Sequence, residues 1–447
     1  MDELTVIEIK RFFVNSCKDQ QKMGIEVEKI GLRADKNAPP RYRGRSGYLA
    51  ILGKLYEELG WQITKQTGRY ILQMQRGGAT LNLESDGRIE LAGSQHDSMH
   101  DLVREFMIHQ NEVSEISKIY GIYWLGIGYH PFSTNREIEE LPEERKIKLA
   151  NYFKELSHKD GNDYALAWFK KTAGIHINFD YDSEEDFARK SRVLVKISPI
   201  LSAIFSCSPF SKGRFDNFVG FRSNVAYNNN LPQFQFDSKI YNSDFGFDAW
   251  IEHILSMPLV LLKKNDEWIS CDGTFGEYLK NGYMGHKATW DDFDLHMKTF
   301  WKDVKVKSVI ELRCIDSLPP YLVPSVPAML KGLIYNKDAL NICDKLIRGW
   351  SHEDFMQLRR DVARSGLQSS IQGRKLLDIA RDLIDLSEAS LKQDRIYNYF
   401  GEDESVYLKP IKSFVFGEGV SPGEWLVSQW MTKWRKNFYP VIEWLQY

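Results

Sequence analysis

Several familiar signals are missing from this sequence, and each absence excludes a class of protein. No apolar run approaches the roughly 18 residues that a membrane-spanning helix needs. The charged segment from Met1 to Arg11 lacks the apolar region of a secretory signal, and Thr5 to Phe13 has the pattern of an amphipathic helix. We therefore expect a cytoplasmic protein without a transit peptide.

Cysteine is also scarce. The five cysteines are Cys17, Cys207, Cys271, Cys314 and Cys343. Their number is odd and no Cys-x-x-Cys spacing occurs, so neither a disulfide framework nor a zinc site is expected. Reduced thiols in the cytoplasm are the simplest interpretation.

The sequence has no excess of charge and no glycine-rich nucleotide motif. Its 59 Lys and Arg residues nearly balance 61 Asp and Glu residues, which gives no field to attract nucleic acid or an anionic membrane. Neither a Gly-x-x-x-x-Gly-Lys phosphate loop nor a Gly-x-Gly-x-x-Gly fingerprint is present. Neither of these loops would therefore hold a nucleotide.

What the sequence does contain is a set of acidic residues on predicted β-strands. Within the segment from Ala79 to Ser94, Glu84 and Glu90 flank an Asp-Gly turn, and both fall on the polar face because successive side chains of a strand alternate. If the connection has an odd length, Glu84 lies opposite Glu90, where like charges repel unless a cation lies between them. A two-residue turn would instead pair Glu84 with Ile89, so we expect a bulge or a longer loop.

Three further predicted strands show the same alternation. Their polar faces carry Glu26 and Glu28 within Gly24 to Glu28, His176 and Asn178 within Gly174 to Phe179, and Glu311 and Arg313 within Val309 to Arg313. Oxygen ligands in this number suit magnesium or manganese, and the guanidinium suits phosphate. One such strand is typical of any half-solvated sheet, which is the alternative interpretation. Four such strands in one chain indicate a metal and phosphate site.

The order of these segments along the chain carries a resemblance. The matching residues are Gly24-Ile-Glu26-Val-Glu28-Lys-Ile-Gly31, Leu83-Glu84-x-x-Gly87-x-x-Glu90-Leu91-x-Gly93, Asn178, Ser208-Pro209-Phe210, Phe221-Arg222-Ser223 and Glu311-Leu-Arg313. The ordered series, rather than any single piece, resembles the glutamate–cysteine ligase family of the plant and proteobacterial type. The likeness extends over nearly the whole chain.

The resemblance implies an α+β fold of the glutamine synthetase type. A curved, mainly antiparallel β-sheet would form a funnel surrounded by helices, with ATP entering one end and glutamate the other. ATP would phosphorylate the γ-carboxylate of glutamate. The amine of cysteine would then displace phosphate and give γ-glutamylcysteine, the first step of glutathione biosynthesis.

The resemblance also implies roles for individual residues. The ligands of two magnesium ions, or of manganese, would be Glu28, Glu84 and Glu90 at one site and Glu26, His176 and Glu311 at the other. Arg313 and Asn178 would contact ATP, with Arg313 at the transferring phosphoryl group. Arg222 is the candidate for the α-carboxylate of glutamate, because a planar guanidinium can grip a carboxylate with two hydrogen bonds.

Some residues depart from the family pattern. At His176 the family usually carries Gln, which leaves a metal role intact. Val225-Ala226-Tyr227 and Cys314-Ile315 replace other residues at positions expected near the amino-acid pocket. A ligase that joins glutamate to a different amine is therefore an alternative. A catalytically silent homologue is another, although all five carboxylates and Arg313 are present.

The organisation of the chain is predicted to change after its strand-rich part. We expect residues 1–340 to form the catalytic core and residues 341–447 a helical layer packed on it, as a monomer or homodimer acting on small molecules. The apolar periodicity predicts helices over Val326 to Tyr335, Ala339 to Trp350, His352 to Ser365 and Arg374 to Lys392. A reactive acyl phosphate would need a mobile cover, for which residues 69–78 and 224–232 are candidates.

Overall fold

One antiparallel β-sheet organises the chain in the computed structural model, which describes residues 4–228, 231–236, 238–242 and 244–447. The strands are β1 (Met23–Arg33), β2 (Gln62–Thr67), β3 (Tyr70–Arg76), β4 (Ala79–Leu83), β5 (Ile89–Ala92), β6 (Ile122–Leu125), β7 (Gly174–Phe179), β8 (Phe210–Ser211), β9 (Arg214–Phe215), β10 (Leu261–Lys264), β11 (Glu267–Ser270), β12 (Val304–Val306), β13 (Ile310–Asp316), β14 (Ser370–Ile371) and β15 (Arg374–Lys375).

Helices cover much of the remaining chain. They are α1 (Val6–Asn15), α2 (Tyr48–Leu59), α3 (Met99–Ile119), α4 (Glu144–Asp160), α5 (Tyr164–Lys171), α6 (Glu184–Ile204), α7 (Phe221–Tyr227), α8 (Phe247–Ser256), α9 (Phe275–Asn281), α10 (Trp290–Met297), α11 (Ser325–Ile334), α12 (Lys337–Ile347), α13 (His352–Ser365), α14 (Leu376–Asp394), α15 (Lys409–Lys412), α16 (Pro422–Met431) and α17 (Tyr439–Leu445). None of these described helices is both long and apolar enough to cross a membrane.

The main sheet has nine strands in the order β12-β13-β7-β1-β5-β4-β3-β2, and β6 also pairs with β1. Neighbouring strands in it run antiparallel. Strand β1 is central, because β7 and β5 flank its first half and β6 pairs with its second half. The expected α+β fold with a mainly antiparallel sheet is therefore confirmed.

The two faces of the sheet differ as the alternation in the sequence predicts. Ile25 and Val27 of β1 are buried in the hydrophobic core, as is Ile177 of β7. Helices α11, α6 and α3 contact β1, β13 and β6, respectively. Because side chains alternate along a strand, burial of Ile25 and Val27 turns Glu26 and Glu28 to the opposite face.

The hairpin between β4 and β5 corrects one expectation. Leu83 pairs with Ile89, and residues 84–88 connect the strands through a short 3-10 turn at Ser85–Gly87. The expected longer connection is confirmed. The placement of Glu84 directly opposite Glu90 is wrong, because Asn82 takes that position and Glu84 already belongs to the connection.

The two segments proposed as a mobile cover also differ from expectation. Most of residues 69–78 belongs to β3, which is paired on both sides within the sheet, so the expectation of a loop there was wrong. In residues 224–232, the first part is the end of α7. Asn229 and Asn230 lie outside the described residues.

The four helices predicted after the strand-rich part correspond to α11, α12, α13 and α14. Helix α14 packs on α11 and α6, and its apolar residues join the same hydrophobic core as the sheet. The division at residue 340 stays a prediction.

A buried ion pair joins the C-terminal region to the strand-rich part. The Glu404 carboxylate is fully buried, accepts a hydrogen bond from the backbone N–H of Met99 at 2.6 Å, and lies 2.6 Å from Lys331 Nζ. Lys331 Nζ also donates to the carbonyl of Asp97 at 3.0 Å. Since Met99 begins α3 and Lys331 lies on α11, one carboxylate holds three segments together.

We expect Glu404→Ala to lower the free energy of unfolding by about 3–5 kcal/mol, because it leaves the Lys331 ammonium buried without its partner. Urea denaturation followed by circular dichroism measures this change. The matched control is Glu402→Ala, which removes an exposed pair with Lys409 and should cost at most about 1 kcal/mol. Equal shifts in both variants would contradict the assignment.

Candidate active site

The polar face of the sheet brings most of the predicted site residues onto four adjacent strands. Residues directly opposite one another across β1, β5, β7 and β13 are Glu26 and His176, Glu28 and Glu90, and Glu311 and Asn178. Directly opposed residues have Cβ atoms roughly 4.5–5.5 Å apart. The register therefore concentrates acidic groups at the centre of the sheet.

Glu26, His176 and Glu311 form the tightest group. Each offers one ligand atom, and these atoms lie within 4.8 Å of one another. His176 Nδ1 is 2.9 Å from Glu26 Oε2 and 4.0 Å from Glu311 Oε1. Asn178 Nδ2 donates to Glu26 Oε1 at 3.1 Å and so orients that carboxylate. Two carboxylates and one imidazole fit magnesium or manganese, because the oxygen ligands are hard and the imidazole supplies one lone pair.

Both carboxylates of this trio are held in the ionised form that metal binding requires. Burial by itself would raise the pKa of Glu311, but Arg313, Lys305 and Lys307 outweigh it and hold the pKa well below its ordinary value. Burial and the Glu311 charge likewise oppose ionisation of Glu26, whose pKa is nevertheless lowered because His176 hydrogen-bonds to it.

Arg313 lies at the edge of the trio. Its guanidinium contacts the Glu311 carboxylate, and about one fifth of its side chain is exposed. Its Nε is buried and has no hydrogen-bond partner within the described part of the chain. A donor without a partner beside a metal-binding group is suited to a phosphate oxygen.

Two lysines that the sequence analysis did not single out complete this region. Lys305 on β12 lies directly opposite Glu311, and Lys307 Nζ is 3.4 Å from Glu311 Oε2. Burial and the neighbouring Lys307 lower the pKa of Lys305 well below its ordinary value. The alternation Val304-Lys305-Val306-Lys307 was the available signal, since it places both ammonium groups on one strand face.

Glu28, Glu84 and Glu90 are not gathered in the same way. Within the described residues, the ligand atoms of Glu26, His176 and Glu311 lie within 4.8 Å of one another, whereas Glu28, Glu84 and Glu90 do not form such a group. Arg88 Nη1 lies 3.2 Å from Glu28 Oε1, and Lys146 Nζ lies 3.4 Å from Glu84 Oε2. Their role as metal ligands stays a prediction.

The two other acids of this second group have opposite pKa shifts. Burial opposes ionisation of Glu84, but Lys146 and Arg88 outweigh it and lower its pKa to about 2. Burial and repulsion from Glu84 raise the pKa of Glu90 well above its ordinary value. The nearby cations thus stabilise the ionised form of Glu84 more than that of Glu90.

Arg222, the candidate for the glutamate α-carboxylate, is almost fully buried at the start of α7. Its Nη2 donates to the backbone carbonyl of Arg313 at 2.7 Å, and its Nη1 is 3.8 Å from Asp316 Oδ1. Its guanidinium also lies over the ring of Trp168. Its Nε has no hydrogen-bond partner within the described part of the chain. The structure thus places Arg222 next to Arg313, and its substrate role stays a prediction.

Most of the positions that depart from the family pattern are buried, and Tyr227 is half-buried. Val225, Ala226 and Cys314 are each at most 4% exposed. The Tyr227 hydroxyl lies 3.2 Å from Ser202 Oγ. These side chains can influence substrate choice through packing rather than through an exposed surface.

A cavity of about 520 Å³ opens beside β4. Its lining includes Asn82 and Glu84, together with the basic residues Lys65, Arg145, Lys146, Lys263 and Lys298 and the acidic residues Glu143, Asp291 and Asp294. The volume lies within the range of small-molecule sites, roughly 300–1,000 Å³. Its basic and acidic residues are nearly equal in number, and several of them form ion pairs with one another.

Comparison of the sequence with known proteins gives consistent results. The family model for Glutamate-cysteine ligase family 2 (GCS2) matches residues 22–442. The chain is 27% identical over 455 residues to glutamate–cysteine ligase B, chloroplastic, of Oryza sativa subsp. japonica, which covers 100% of this chain and 88% of that one. It is 26% identical over 452 residues to glutamate–cysteine ligase, chloroplastic, of Arabidopsis thaliana, with coverage of 100% and 84%.

Comparison of structures concerns the fold alone. The crystal structure of a bifunctional glutathione synthetase from Pasteurella multocida aligns with a TM-score of 0.50 and 11% sequence identity. The alignment covers 93% of this chain and 52% of that one.

We expect Glu311→Gln to weaken Mn²⁺ binding at least about 10-fold, because the amide removes the charge of one ligand of the trio. Electron paramagnetic resonance of free Mn²⁺ in a titration without nucleotide measures the affinity. His176→Gln should bind much more tightly than Glu311→Gln, because both His and Gln offer a lone pair to a metal.

The matched control for this titration is Glu143→Gln, a buried acid that pairs with Lys65 outside the trio. It should bind Mn²⁺ as the unmodified protein does. Unchanged affinity in Glu311→Gln would show that the trio is not the metal site.

Proposed function

The chain belongs to Glutamate-cysteine ligase family 2, and from that premise we propose that it is an ATP-dependent ligase that forms γ-glutamylcysteine from L-glutamate and L-cysteine. The observation that carries the proposal is the trio of Glu26, His176 and Glu311 beside Arg313, whose Nε has no hydrogen-bond partner among the residues that the structure describes. This arrangement can hold a divalent ion next to a group that donates a hydrogen bond to a phosphate oxygen. The relatives named as glutamate–cysteine ligases support the choice of substrates.

The proposed reaction has two steps. An oxygen of the glutamate γ-carboxylate attacks the γ-phosphorus of ATP, and ADP leaves, which gives γ-glutamyl phosphate. The α-amine of cysteine then attacks the acyl carbon, phosphate leaves, and the nitrogen loses a proton to form the amide. Phosphorylation turns a poor leaving oxygen into a good one, so ATP hydrolysis drives formation of the amide bond.

The side chains of the trio would position the charged groups for the first step. Glu26, His176 and Glu311 would hold Mg²⁺ or Mn²⁺, which when bound neutralises phosphate oxygens. Arg313 would donate to the transferring phosphoryl group, where negative charge spreads over the equatorial oxygens. Lys307, beside Glu311, adds positive charge for the same phosphates.

The amino-acid substrate is assigned to the neighbouring region. Arg222 would bind the α-carboxylate of glutamate through donors that include its unpartnered Nε. Its contact with the Arg313 carbonyl links the two arginines, so the substrate and the phosphoryl group would be held side by side. Asn178 orients the Glu26 carboxylate through a hydrogen bond. Asn178 would also contact ATP.

Where the protein acts and how it assembles stay predictions. A cytoplasmic location was expected, whereas the printed names of the plant relatives place those proteins in the chloroplast. A monomer or a homodimer was expected as well.

The direct test is phosphate release by the purified protein with ATP, magnesium and glutamate, with and without cysteine, combined with mass detection of the product. We expect cysteine-dependent release and the mass of γ-glutamylcysteine. The matched comparison replaces cysteine by a panel of other amines.

Release that depends on a different amine would retain the ligase class and overturn cysteine as the acceptor. Absence of release with every acceptor would support a catalytically silent homologue. Against that alternative, the chain retains Glu26, His176 and Glu311 with converging ligand atoms, and Arg313 beside them.

We expect Arg313→Ala to lower kcat for phosphate release at least about 10³-fold, because the variant loses the guanidinium that meets the transferring phosphoryl group. Circular dichroism should show an unchanged fold, since Arg313 lies at the edge of the site. The matched control is Arg348→Ala, which replaces a largely exposed arginine directly after α12. Near-normal turnover in Arg313→Ala would contradict this role.

A further inference from the structure

Both oxygens of Glu28 already have partners within the protein. Arg88 Nη1 lies 3.2 Å from Oε1, and the backbone N–H of Gly174 donates to Oε2 at 2.6 Å. Glu28 and Arg88 are each less than one tenth exposed. An ion that sought Glu28 as a ligand would have to displace a buried guanidinium.

Glu84 and Glu90 each have a partner on one carboxylate oxygen. Lys146 belongs to the first turn of α4, and its Nζ lies 3.4 Å from Glu84 Oε2. Asn82 Nδ2 donates to Glu90 Oε1 at 2.8 Å across the β4–β5 pair. Glu90 also lies directly opposite Glu28, so the two carboxylates share the nearby positive charge.

The two cations are anchored by contacts other than the acids. Lys146 Nζ donates to the carbonyl of Leu83 at 2.8 Å, and Arg88 Nη2 donates to the carbonyl of Phe169 at 3.5 Å. Glu311 also contacts two cations, Arg313 and Lys307, but there the ligand atoms of Glu26, His176 and Glu311 lie within 4.8 Å of one another. Arg313 also differs from Arg88 in that its Nε has no partner within the described residues and its side chain is more exposed. Arg88 and Lys146 are therefore fixed parts of the fold.

The resemblance predicted a metal ion at Glu28, Glu84 and Glu90, and the geometry does not fit one. The carboxylate oxygens of these three acids do not come together as those of a metal site would. The cationic groups nearest to them are the side chains of Arg88 and Lys146. A divalent ion added beside two anchored cations in a buried region would meet strong repulsion.

We propose that Arg88 and Lys146 take the place of a divalent ion at Glu28, Glu84 and Glu90, so that the side chains of this protein bind one metal ion, at Glu26, His176 and Glu311. The inference rests on the proposed function, since it concerns the metal content of the same site. Lys146 and Glu84 also line the 520 Å³ cavity, so part of this fixed positive charge faces the ligand space.

The number of Mn²⁺ ions bound per chain, measured by electron paramagnetic resonance without nucleotide, tests the proposal. We expect one ion for the unmodified protein and the same number and affinity for Glu84→Gln. The double variant Arg88→Gln with Lys146→Gln should bind a second ion, because it removes both cations and keeps polar side chains. Adding Glu84→Gln to the double variant should abolish that second ion.

Two tightly bound ions in the unmodified protein, one of which is lost in Glu84→Gln, would overturn the proposal. A double variant that stays folded and still binds one ion would overturn it as well. The Glu84→Gln comparison remains decisive if the double variant does not fold, because Glu84 is about one third exposed and its substitution is mild. Failure of the unmodified protein to bind an ion at Glu26, His176 and Glu311, or absence of ligase activity, would instead contradict the proposed function. Those two results depend on Glu311 and Arg313 and not on Arg88 and Lys146.

Discussion

Burial of several carboxylates on one face of one sheet is the constraint on which the rest of this structure depends. Strand β1 is flanked on both sides, and it turns Ile25 and Val27 into the core and Glu26 and Glu28 to the opposite face. A buried carboxylate is costly unless it is paired or hydrogen-bonded. The neighbouring strands and α4 therefore have to supply cations and donors.

The structure meets this requirement in two different ways. Around Glu311, Arg313 has an unpartnered donor and Lys307 lies at the rim, while two carboxylates and His176 converge. Around Glu28, the cation Arg88 is anchored and the acid oxygens are already bonded. On this one face, the group around Glu311 is thus suited to an exchangeable ion and phosphate, because its ligand atoms converge, whereas the group around Glu28 is neutralised by the protein itself.

The likeness to known ligases and the geometry of this chain support the same chemistry at different levels. The family match spans nearly the whole chain and establishes the family. The convergence of ligand atoms and the position of Arg313 supply the physical reason for the proposed phosphoryl-transfer site. Cys314, which departs from the family pattern, is buried and so acts on its surroundings through packing.

The sequence by itself determined the strands that carry the candidate site, the faces on which Glu26, His176 and Glu311 lie, and four helices after the strand-rich part, because alternation and helical periodicity are local. Lys305 was equally visible in its strand but was overlooked. Only the tertiary structure decided that Asn82 rather than Glu84 lies opposite Glu90, and that Arg88 reaches Glu28. Register and the pairing of distant charges depend on how separate strands align, and no local pattern encodes that alignment.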